Sequence, residues 1–493
     1  MPLLPEPEAF AAFLRDHPDY ESTEHLDALR AADYARLDAA QHVYLDYTGA
    51  SLYGESQVRS HLELLTTGVY GNPHSSSLTS SASTALVERT RRAVLDWFHA
   101  SPSEYTAIFT ANCTAALKLV GEAFPFAPGG RLLLTADNHN SVNGIREFAR
   151  ARGVECTYAP LTMPEIRIDR PALRELLADC DADADNLFAF PAQSNFTGVR
   201  HPLEIVAEAQ DAGWNVVLDA AAYVPTSVLD LAQVPADFVT CSFYKMFGYP
   251  TGVGCVIARL DALQRLDRPW YAGGTVNFAT VQGQQYLLAP REAGFEDGTL
   301  NYLGIPGVEL GLRHLRQVGI AAIHTRVECL TGWMLQQLLD LRHSNGRPMV
   351  RIYGPMTTQM RGGIITMNFY DPDGHLLDYR RVEEIATAQR ISIRTGCFCN
   401  PGAGETAEGL TEEDFLAAIA SNIDLTLPRF VTFITHRSGK SAGAIRASFG
   451  IASNFADAYR FVQFASTLRD QTRLTMGDVT FDIESCRVIR DGS

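Results

Sequence analysis

Residues 240–252 read TCSFYKMFGYPTG and place Lys245 after a short apolar run and before a turn rich in Gly and Pro. An earlier apolar run, residues 216–218, ends at Asp219. Short buried runs that each end in a polar residue are typical of parallel strands, whose carboxyl ends meet at one edge of a sheet. We therefore expect Lys245 and Asp219 to lie close together at that edge.

The surrounding sequence extends this pattern. From about residue 105 to 260, short apolar runs alternate with longer amphipathic segments. The alternation predicts an α/β domain, with a mostly parallel seven-stranded sheet covered by helices on both faces. The predicted strands are Tyr105–Thr110, Arg131–Thr135, Val154–Ala159, Leu187–Pro191, Val216–Asp219, Phe238–Cys241 and Gly254–Ala258.

Four parts of the chain are predicted. Residues 1–40 form a helical arm packed on the smaller domain, 41–305 the large domain, 306–470 a smaller α+β domain, and 471–493 an extension without an assigned role. The smaller domain is predicted because long helical segments and then strands follow residue 299. Its predicted elements are helices near Val308–Val318, Ala321–Leu341 and Phe455–Leu468 and strands near Val350–Tyr353, Gly363–Asn368 and Ile391–Arg394.

The composition limits the kinds of partner. The 493 residues include 57 acidic and 41 basic side chains, a formal charge of -16. Such a charge repels phosphate backbones and anionic surfaces, so we expect neither nucleic acid nor a membrane as a partner. The start is unlike a leader and no run is long enough to span a membrane, which predicts a cytoplasmic protein. Nine cysteines, an odd number, are expected to be mostly buried and reduced.

The setting of Lys245 indicates a bound cofactor. A lysine that forms a Schiff base with an aldehyde needs a fixed position beside a phosphate site. It also needs an acidic neighbour that keeps a pyridine nitrogen protonated, and Asp219 can supply this charge. We therefore predict pyridoxal 5′-phosphate (PLP). A lone lysine at a strand end is more often a solvent-exposed charge, and the neighbouring motifs decide against that alternative.

A phosphate site is predicted between a strand and a helix at residues 110–115, TANCTA. Backbone N–H groups near Cys113 and the hydroxyl of Thr114 would face an anion at the helix N-terminus. Ser242 can add a second hydroxyl. Taken alone, a threonine such as Thr114 at this position is more often an ordinary helix cap.

Two further residues follow strands at the same edge. His139 can stack on a pyridine ring and move protons near it, and its alternative is an exposed loop histidine. Asn195 can donate a hydrogen bond to the ring oxygen, and its alternative is a turn-forming Asn before Gly. Arg446, predicted to follow a strand, can clamp a carboxylate bidentately, with a surface ion pair as the alternative.

A pair of cysteines lies downstream, in residues 393–402, IRTGCFCNPG. Cys397 and Cys399 occupy a loop rich in Gly and Pro beside Arg394, and an exposed, electropositive loop favours the thiolate. In an extended loop their side chains point to opposite sides, so that one can face the cofactor. We predict no metal site, because the sequence shows no second ligand pair at zinc-finger spacing.

These motifs together resemble a known family. Over residues 40–468 the chain resembles the class V, fold-type I PLP enzymes, which include the cysteine desulfurases. Residues 70–75, 137–147, 242–252 and 394–402 are most similar to the desulfurase domain of molybdenum cofactor sulfurases.

The resemblance implies a role for each site residue. It assigns Lys245 to the cofactor aldehyde, Asp219 to the pyridine nitrogen, His139 and Asn195 to the ring, and Cys113, Thr114 and Ser242 to the phosphate. It assigns Arg446, with Arg394 and Asn195, to the substrate, Cys399 to a persulfide, and Thr299 to the cofactor of a partner chain in a homodimer with shared sites.

Three features depart from the family pattern. Ala222 stands where many desulfurases have Gln, and Gly404 stands where molybdenum cofactor sulfurases often have a third cysteine. The 493 residues are also too few for the C-terminal cofactor-binding domain that commonly follows in those enzymes.

The resemblance implies a cysteine desulfurase that passes sulfur from L-cysteine to Cys399, releases alanine and serves a protein or small-molecule acceptor. A PLP-dependent lyase, racemase or decarboxylative enzyme acting on another amino acid is the first alternative. A non-catalytic sulfur carrier or scaffold is the second.

Overall fold

The structure is a computed structural model that describes residues 3–420, 433–434, 437, 440–441, 443–472, 479–482 and 487–490. Most of its first forty residues are helical. These helices are α1 (Glu6–Asp16), α2 (His25–Asp33) and α3 (Arg36–Ala39), with a 3-10 turn at Pro18–Thr23. Phe13 is buried against Trp333 and Phe455, and Arg30 pairs with the buried Asp457. The N-terminal helices therefore pack on the C-terminal part of the chain.

The predicted seven-stranded sheet is present. After the two-residue strand β1 (Val43–Tyr44), its members are β2 (Tyr105–Thr110), β3 (Leu132–Thr135), β4 (Cys156–Ala159), β7 (Asn186–Pro191), β8 (Trp214–Asp219), β9 (Phe238–Ser242) and β10 (Gly254–Arg259). Between β4 and β7 the chain forms a small hairpin of β5 (Leu161–Thr162) and β6 (Arg167–Ile168). The spatial order is β2-β10-β9-β8-β7-β3-β4, in which β10 is antiparallel to both neighbours and the other pairings are parallel.

Helices cover both faces of this sheet, because its strands carry apolar side chains on both sides. Ile108 and Val256 pack in one apolar cluster, whereas their chain neighbours Phe109 and Ile257 pack in another. The helices of this region are α4 (Glu55–Thr67), α5 (Leu78–Trp97), α6 (Cys113–Ala123), α7 (Asn140–Asn143), α8 (Ile145–Ala151), α9 (Arg170–Ala178), α10 (Ile205–Asp211), α11 (Phe243–Phe247) and α12 (Leu260–Arg265).

A second, antiparallel sheet of four strands follows, in the order β13-β14-β17-β16; its members are β13 (Val350–Tyr353), β14 (Ile364–Phe369), β16 (Arg394–Gly396) and β17 (Ala444–Ser448). It is preceded by the hairpin β11 (Val276–Ala279) and β12 (Tyr286–Leu288) and a 3-10 turn at Arg291–Gly294. The remaining elements are α13 (Pro306–Val318), α14 (Ile320–Asp340), α15 (Tyr379–Ala388), β15 (Ile391–Ser392), α16 (Pro401–Glu408), α17 (Glu412–Ala420), α18 (Phe455–Thr467), β18 (Val479–Asp482) and β19 (Arg487–Arg490).

Two local predictions in this part are wrong. The strand predicted at Ile391–Arg394 is divided, because β15 pairs with β1 whereas β16 pairs with β17. Arg446 lies inside β17 instead of following a strand. The sequence analysis also did not predict helices α15 to α17. The boundaries drawn at residues 40, 305 and 470 stay predictions.

The described cysteines are all free thiols, and four of them, Cys113, Cys241, Cys255 and Cys329, are buried. Cys486 lies outside the described residues, as does most of the predicted extension. Of the helices that the structure describes, none combines the length and apolar character that a membrane crossing requires.

Candidate active site

A cavity of about 400 Å³ lies at the carboxyl edge of the seven-stranded sheet. Ligands bind sheets of this kind where parallel strands end, and β3, β7, β8 and β9 all end here. Predicted site residues from five segments of the chain line the cavity: Cys113, Thr114, His139, Asn195, Asp219, Ser242 and Lys245. The structure thus brings into one site residues that were predicted one by one.

Lys245 enters this cavity from α11, a single helical turn that directly follows β9. The turn ends at Gly248, whose φ of 78° suits glycine and where a Cβ would collide with the backbone of Leu52 and Tyr53. Burial lowers the pKa of Lys245, and the nearby Asp219 opposes this shift only in part. A lysine that loses its proton readily is a better nucleophile toward an aldehyde.

Asp219 is buried at the end of β8. Its Oδ1 accepts a hydrogen bond from the backbone N–H of Ala221 at 3.0 Å, and the Cys113 thiol lies 3.6 Å from the same oxygen. These contacts fix the carboxylate in the cavity wall. A negative charge held here can pair with a protonated ring nitrogen.

The N-terminus of α6 forms another wall of the cavity. Asn112 caps this helix, with its side chain accepting from Ala115 N–H at 2.9 Å. The N–H of Cys113 donates to Ser242 Oγ at 2.8 Å, and the Thr114 hydroxyl lies 2.8 Å from that of Ser141. Three hydroxyls, those of Thr114, Ser141 and Ser242, therefore line the cavity beside a helix N-terminus, an arrangement suited to a phosphate.

The imidazole of His139 is held in its neutral form. Its Nδ1 accepts the backbone N–H of Ser141 at 3.1 Å, so the ring proton resides on Nε2. Burial lowers the pKa of His139, with Lys245 and Arg446 acting in the same direction and Asp219 opposing them. A neutral ring is suited to stacking on a cofactor and to accepting or relaying a proton.

The loop that carries Cys399 is not extended, contrary to the sequence prediction. Phe398 and Cys399 have φ values of 56° and 53°, in the left-handed region, so the chain turns sharply. The turn is fixed to the large sheet, because the Phe398 carbonyl accepts from Asn195 Nδ2 at 2.8 Å and the Cys399 carbonyl accepts from Asn140 N–H at 2.7 Å. Asn195 therefore holds the cysteine loop, and its predicted bond to a ring oxygen stays a prediction.

The Cys399 thiol differs from expectation in its ionisation. The sequence predicted a thiolate, but partial burial, reinforced by Cys397, raises the pKa of Cys399, and Arg394, Lys245 and Arg446 oppose this only in part. Cys399 does not itself line the cavity, but Asn195 of the cavity wall bonds the carbonyl of the neighbouring Phe398. Cys397 interacts electrostatically with both Cys399 and Tyr379.

The two predicted substrate arginines share one carboxylate. Asp46 accepts from Arg394 Nε at 3.0 Å and Nη2 at 2.6 Å, and from Arg446 Nη2 at 3.2 Å. Arg446 also donates from Nη1 to the Asn195 carbonyl at 2.9 Å and stacks on the Phe398 ring. Burial lowers the pKa of Arg446 to about 10. Arg394 is engaged by Asp46, and its contact with substrate stays a prediction.

Thr299 lies outside the Lys245 cavity of its own chain. It lines an adjoining cavity of about 350 Å³, which shares Ala111 and Gly252 with the first. Its hydroxyl accepts from Asn72 Nδ2 at 3.2 Å. This placement leaves Thr299 available to a neighbouring molecule and not to the cofactor site of its own chain.

The sequence analysis missed three residues that organise the site. Ser141 holds both His139 and Thr114, Gln193 lines the cavity and donates to the Ala222 carbonyl at 2.8 Å, and Asp46 joins the arginines. Ser141 and Gln193 each lie two residues from a predicted site residue, His139 and Asn195 respectively. Their position in the sequence was therefore the available signal. The signal for Asp46 was weaker, because it is only a carboxylate that directly follows Tyr44 and Leu45.

The residues present fit PLP. An aldehyde needs an amine with a lowered pKa, a pyridine nitrogen needs a carboxylate, and a phosphate needs a helix N-terminus with hydroxyls. Lys245, Asp219 and α6 meet these three demands within a single cavity, whose volume lies in the range of small-molecule sites, roughly 300–1,000 Å³.

Comparison with known proteins agrees with this reading of the site. The chain is 36% identical over 489 residues to molybdenum cofactor sulfurase of Solanum lycopersicum, covering 92% of this chain and 59% of the relative. It is 36% identical over 468 residues to molybdenum cofactor sulfurase of Homo sapiens, covering 89% and 51%. The chain therefore spans between about half and three-fifths of the length of these relatives.

Solved structures show the same fold. A cysteine desulfurase from Thermococcus onnurineus superposes with a TM-score of 0.73 at 22% identity, over 90% of this chain and 97% of that one. A cysteine desulfurase from Escherichia coli gives a TM-score of 0.69 at 19% identity, over 90% and 98%. The aminotransferase class-V family model matches residues 43–461. This match covers most of the chain, including every residue assigned to the cavity, and the chain belongs to the class-V aminotransferase family.

Proposed function

We propose that this protein is a PLP-dependent cysteine desulfurase that moves sulfur from L-cysteine to Cys399 and releases alanine. One observation carries the proposal. A cavity suited to PLP lies beside the loop of Cys399, which Asn195 and Asn140 hold through hydrogen bonds to the carbonyls of Phe398 and Cys399. A cofactor lysine, a carboxylate-binding arginine and a nucleophilic sulfur in one site match the needs of this reaction.

Lys245, Asp219 and the N-terminus of α6 would hold the cofactor. When bound, PLP supplies an electron sink for negative charge at the α-carbon of an amino acid. Lys245, whose pKa burial lowers, takes the proton from that carbon and later returns one. Arg446 binds the α-carboxylate and so orients the side chain of the substrate.

The sulfur step belongs to Cys399. Its thiol first loses a proton, and the sulfur then bonds to the substrate sulfur while the substrate carbon–sulfur bond breaks. The carbon keeps the electron pair of that bond and gains a proton, which yields alanine. Cys399 keeps the transferred sulfur as a persulfide, and the step requires no external oxidant or reductant.

The products from a panel of amino acids test the proposal. We expect the purified holoenzyme to convert L-cysteine to equal amounts of alanine and sulfide when a reductant is present. Mass spectrometry after brief exposure to L-cysteine should find the extra sulfur on Cys399. Cys399→Ala should lose at least about 100-fold in turnover, whereas the matched control Cys397→Ala should stay within a few-fold of the wild type.

Other reaction products would contradict the proposal. If another amino acid gives an elimination, racemisation or decarboxylation product as the main outcome, and both cysteine variants keep full activity, the protein is not a desulfurase. A protein that purifies without the visible absorbance of the cofactor would favour a non-catalytic sulfur carrier.

We also propose a homodimer whose two sites share residues. Thr299 does not line the cofactor cavity of its own chain and lines an adjoining cavity instead, as expected of a residue that serves the partner's cofactor. Large apolar side chains are exposed on and beside the hairpin of β11 and β12, among them Trp270, Phe278 and Tyr286. Monomers seldom leave such surfaces uncovered.

The sulfur acceptor is a further part of the proposal. We propose that a protein, a cofactor or another small molecule takes the sulfur from Cys399, because an exposed thiol on a surface loop is within reach of such a partner. The relatives are named for the molybdenum cofactor, and they continue beyond the part that this chain matches. Transfer of labelled sulfur from the persulfide to an added acceptor would test each candidate.

A further inference from the structure

Asp46 lies where the two substrate arginines meet. It follows β1, and its side chain is only 12% exposed. Three guanidinium nitrogens converge on its two carboxylate oxygens, two of them from Arg394 and one from Arg446. One carboxylate thus serves two cations.

The sharing is unequal. A guanidinium binds a carboxylate best through the edge formed by Nε and one Nη. Arg394 presents this whole edge to Asp46. Arg446 presents only Nη2, in a long bond of 3.2 Å. Among the residues that the structure describes, its Nε has no hydrogen-bond partner, although the side chain is only 3% exposed.

Because the Nε of Arg446 has no partner among the described residues, Arg446 can bind a second carboxylate through Nε and Nη2. A buried N–H without a partner is unfavourable, and burial already lowers the pKa of Arg446 to about 10. Asp46 cannot satisfy both Nε and Nη2 of Arg446 while Arg394 holds it. A free carboxylate that enters the site can take both.

We propose that Asp46 is an internal carboxylate that occupies Arg446 until the α-carboxylate of the amino acid displaces it. The inference rests on the proposed function, because it assumes that Arg446 is the carboxylate clamp. On displacement, Arg446 exchanges one hydrogen bond for two, and Asp46 remains on Arg394. Arg394 is then a positioning residue that acts through Asp46 instead of touching the substrate.

The exchange favours α-amino acids over simple amines. An amine without a carboxylate leaves Asp46 on Arg446 and gains nothing from the exchange. Gly49 provides the space for this arrangement, since a Cβ there would lie 2.6 Å from Asp46 Oδ2 and 2.7 Å from Arg394 Nη2.

Titration of the holoenzyme tests the proposal without any sulfur chemistry. The visible absorbance of the bound cofactor is followed while L-alanine, or ethylamine as the matched amine without a carboxylate, is added. In Asp46→Asn the competing charge is gone, so we expect L-alanine to bind roughly tenfold more tightly and ethylamine to bind within about twofold of the wild type. In Arg394→Gln the released Asp46 turns fully to Arg446, and L-alanine should bind roughly tenfold more weakly.

The double variant separates this role from direct substrate binding. Arg394→Gln should have little further effect in the Asp46→Asn background, because the residue it positions has lost its charge. If Arg394 touched the substrate, its loss would weaken L-alanine binding in both backgrounds. Asp27→Asn is the matched control, since Asp27, in the N-terminal helix α2, accepts two bonds of 2.7 Å from the buried Arg326 of α14. It should change neither titration.

Each outcome decides the matter. Unchanged or weaker L-alanine binding in Asp46→Asn, or equal shifts for L-alanine and ethylamine, would overturn the inference. If Asp46→Asn does not fold, Arg394→Gln decides, because the Arg394 side chain is 50% exposed and its loss should be tolerated. L-alanine binding equal to that of the wild type would then overturn the inference. If the wild-type protein shows no visible absorbance of bound PLP, the proposed function and this inference both fail. If that absorbance is normal but the variants do not change L-alanine binding as expected, only the inference fails.

Discussion

Lys245 is one of three lysines in the chain, with Lys118 and Lys440, and it is the one that lines the cavity beside Asp219. Lys245→Ala should therefore remove both the visible absorbance of bound cofactor and all measurable turnover, because no other amine can take its place. Lys440→Ala is the matched control and should keep both, since its ammonium bonds Asp414 and the Gly409 carbonyl instead. Absorption spectra and product assays measure the two effects. A Lys245→Ala protein with wild-type turnover would refute the assignment.

The ionisation of Cys399 predicts a dependence on pH. The sulfur must lose its proton to react, and the pKa of Cys399 is raised above the ordinary value of 9.0. Below that pKa the thiolate fraction grows about tenfold per pH unit, so persulfide formation in a single turnover should accelerate from about pH 7 to pH 9. A rate that stays flat or falls would mean that Cys399 reacts from a different environment.

Site residues could be predicted from the sequence where they follow the end of a strand. Lys245, Asp219, His139 and Asn195 all follow apolar runs, and parallel strands bring such positions together. Asp46 was not predictable in the same way, because it meets Arg446 across 400 positions of the chain. The pKa of Cys399 was also predicted in the wrong direction, since the sequence shows that Arg394 is near but not that the thiol is partly buried.

The cysteine loop is the element that connects the two sheets at the site. Asn400 donates to the Asp137 carbonyl at 2.6 Å and to Asn195 Oδ1 at 2.9 Å, and it also caps α16. Asn400→Ala should free the loop and slow persulfide formation by roughly tenfold or more, since misplacement of a reacting atom by about 1 Å can cost 100-fold. The cofactor absorbance should remain. The measurement is persulfide formation by rapid-quench mass spectrometry.

A second capping asparagine provides the control. Asn454 caps α18 and accepts from Asp457 N–H at 3.1 Å, as Asn400 does for α16. Both Ala variants should lose about 1 kcal/mol of stability from the missing cap. Only Asn400→Ala should slow sulfur transfer. Equal rates in the two variants would show that the loop contacts have no role in the chemistry.

Helices and strands could be predicted where the pattern of apolar residues is regular. All seven strands of the large sheet were found because buried strands of this kind form continuous apolar runs. The cysteine loop was predicted as extended, because left-handed φ angles at Phe398 and Cys399 are rare for residues other than glycine and carry no sequence signal. Its shape comes from Asn140, Asn195 and Asp137, which lie in segments that follow strands of the large sheet.

At the scale of the whole molecule, Thr299 is the one predicted cofactor residue that does not line the cofactor cavity of its own chain, and it is predicted to come from a partner. Thr299 belongs to an adjoining cavity that shares Ala111 and Gly252 with the cofactor cavity, so the two openings lie side by side. A closed two-fold assembly would place each such residue against the other copy. The exposed apolar side chains of the β11–β12 hairpin supply a surface for this contact.

Thr299→Ala tests this arrangement. Loss of one hydroxyl at a phosphate should weaken PLP binding by roughly tenfold, as expected for a hydrogen bond to a charged group, while the protein stays dimeric. Equilibrium dialysis measures the affinity, and sedimentation measures the assembly. Thr162→Ala, which removes an exposed hydroxyl that bonds only the Arg167 carbonyl among its described contacts, is the control and should change neither. A dimeric Thr299→Ala protein that binds PLP as tightly as wild type would remove Thr299 from the shared site, and a fully active monomer would refute the dimer itself.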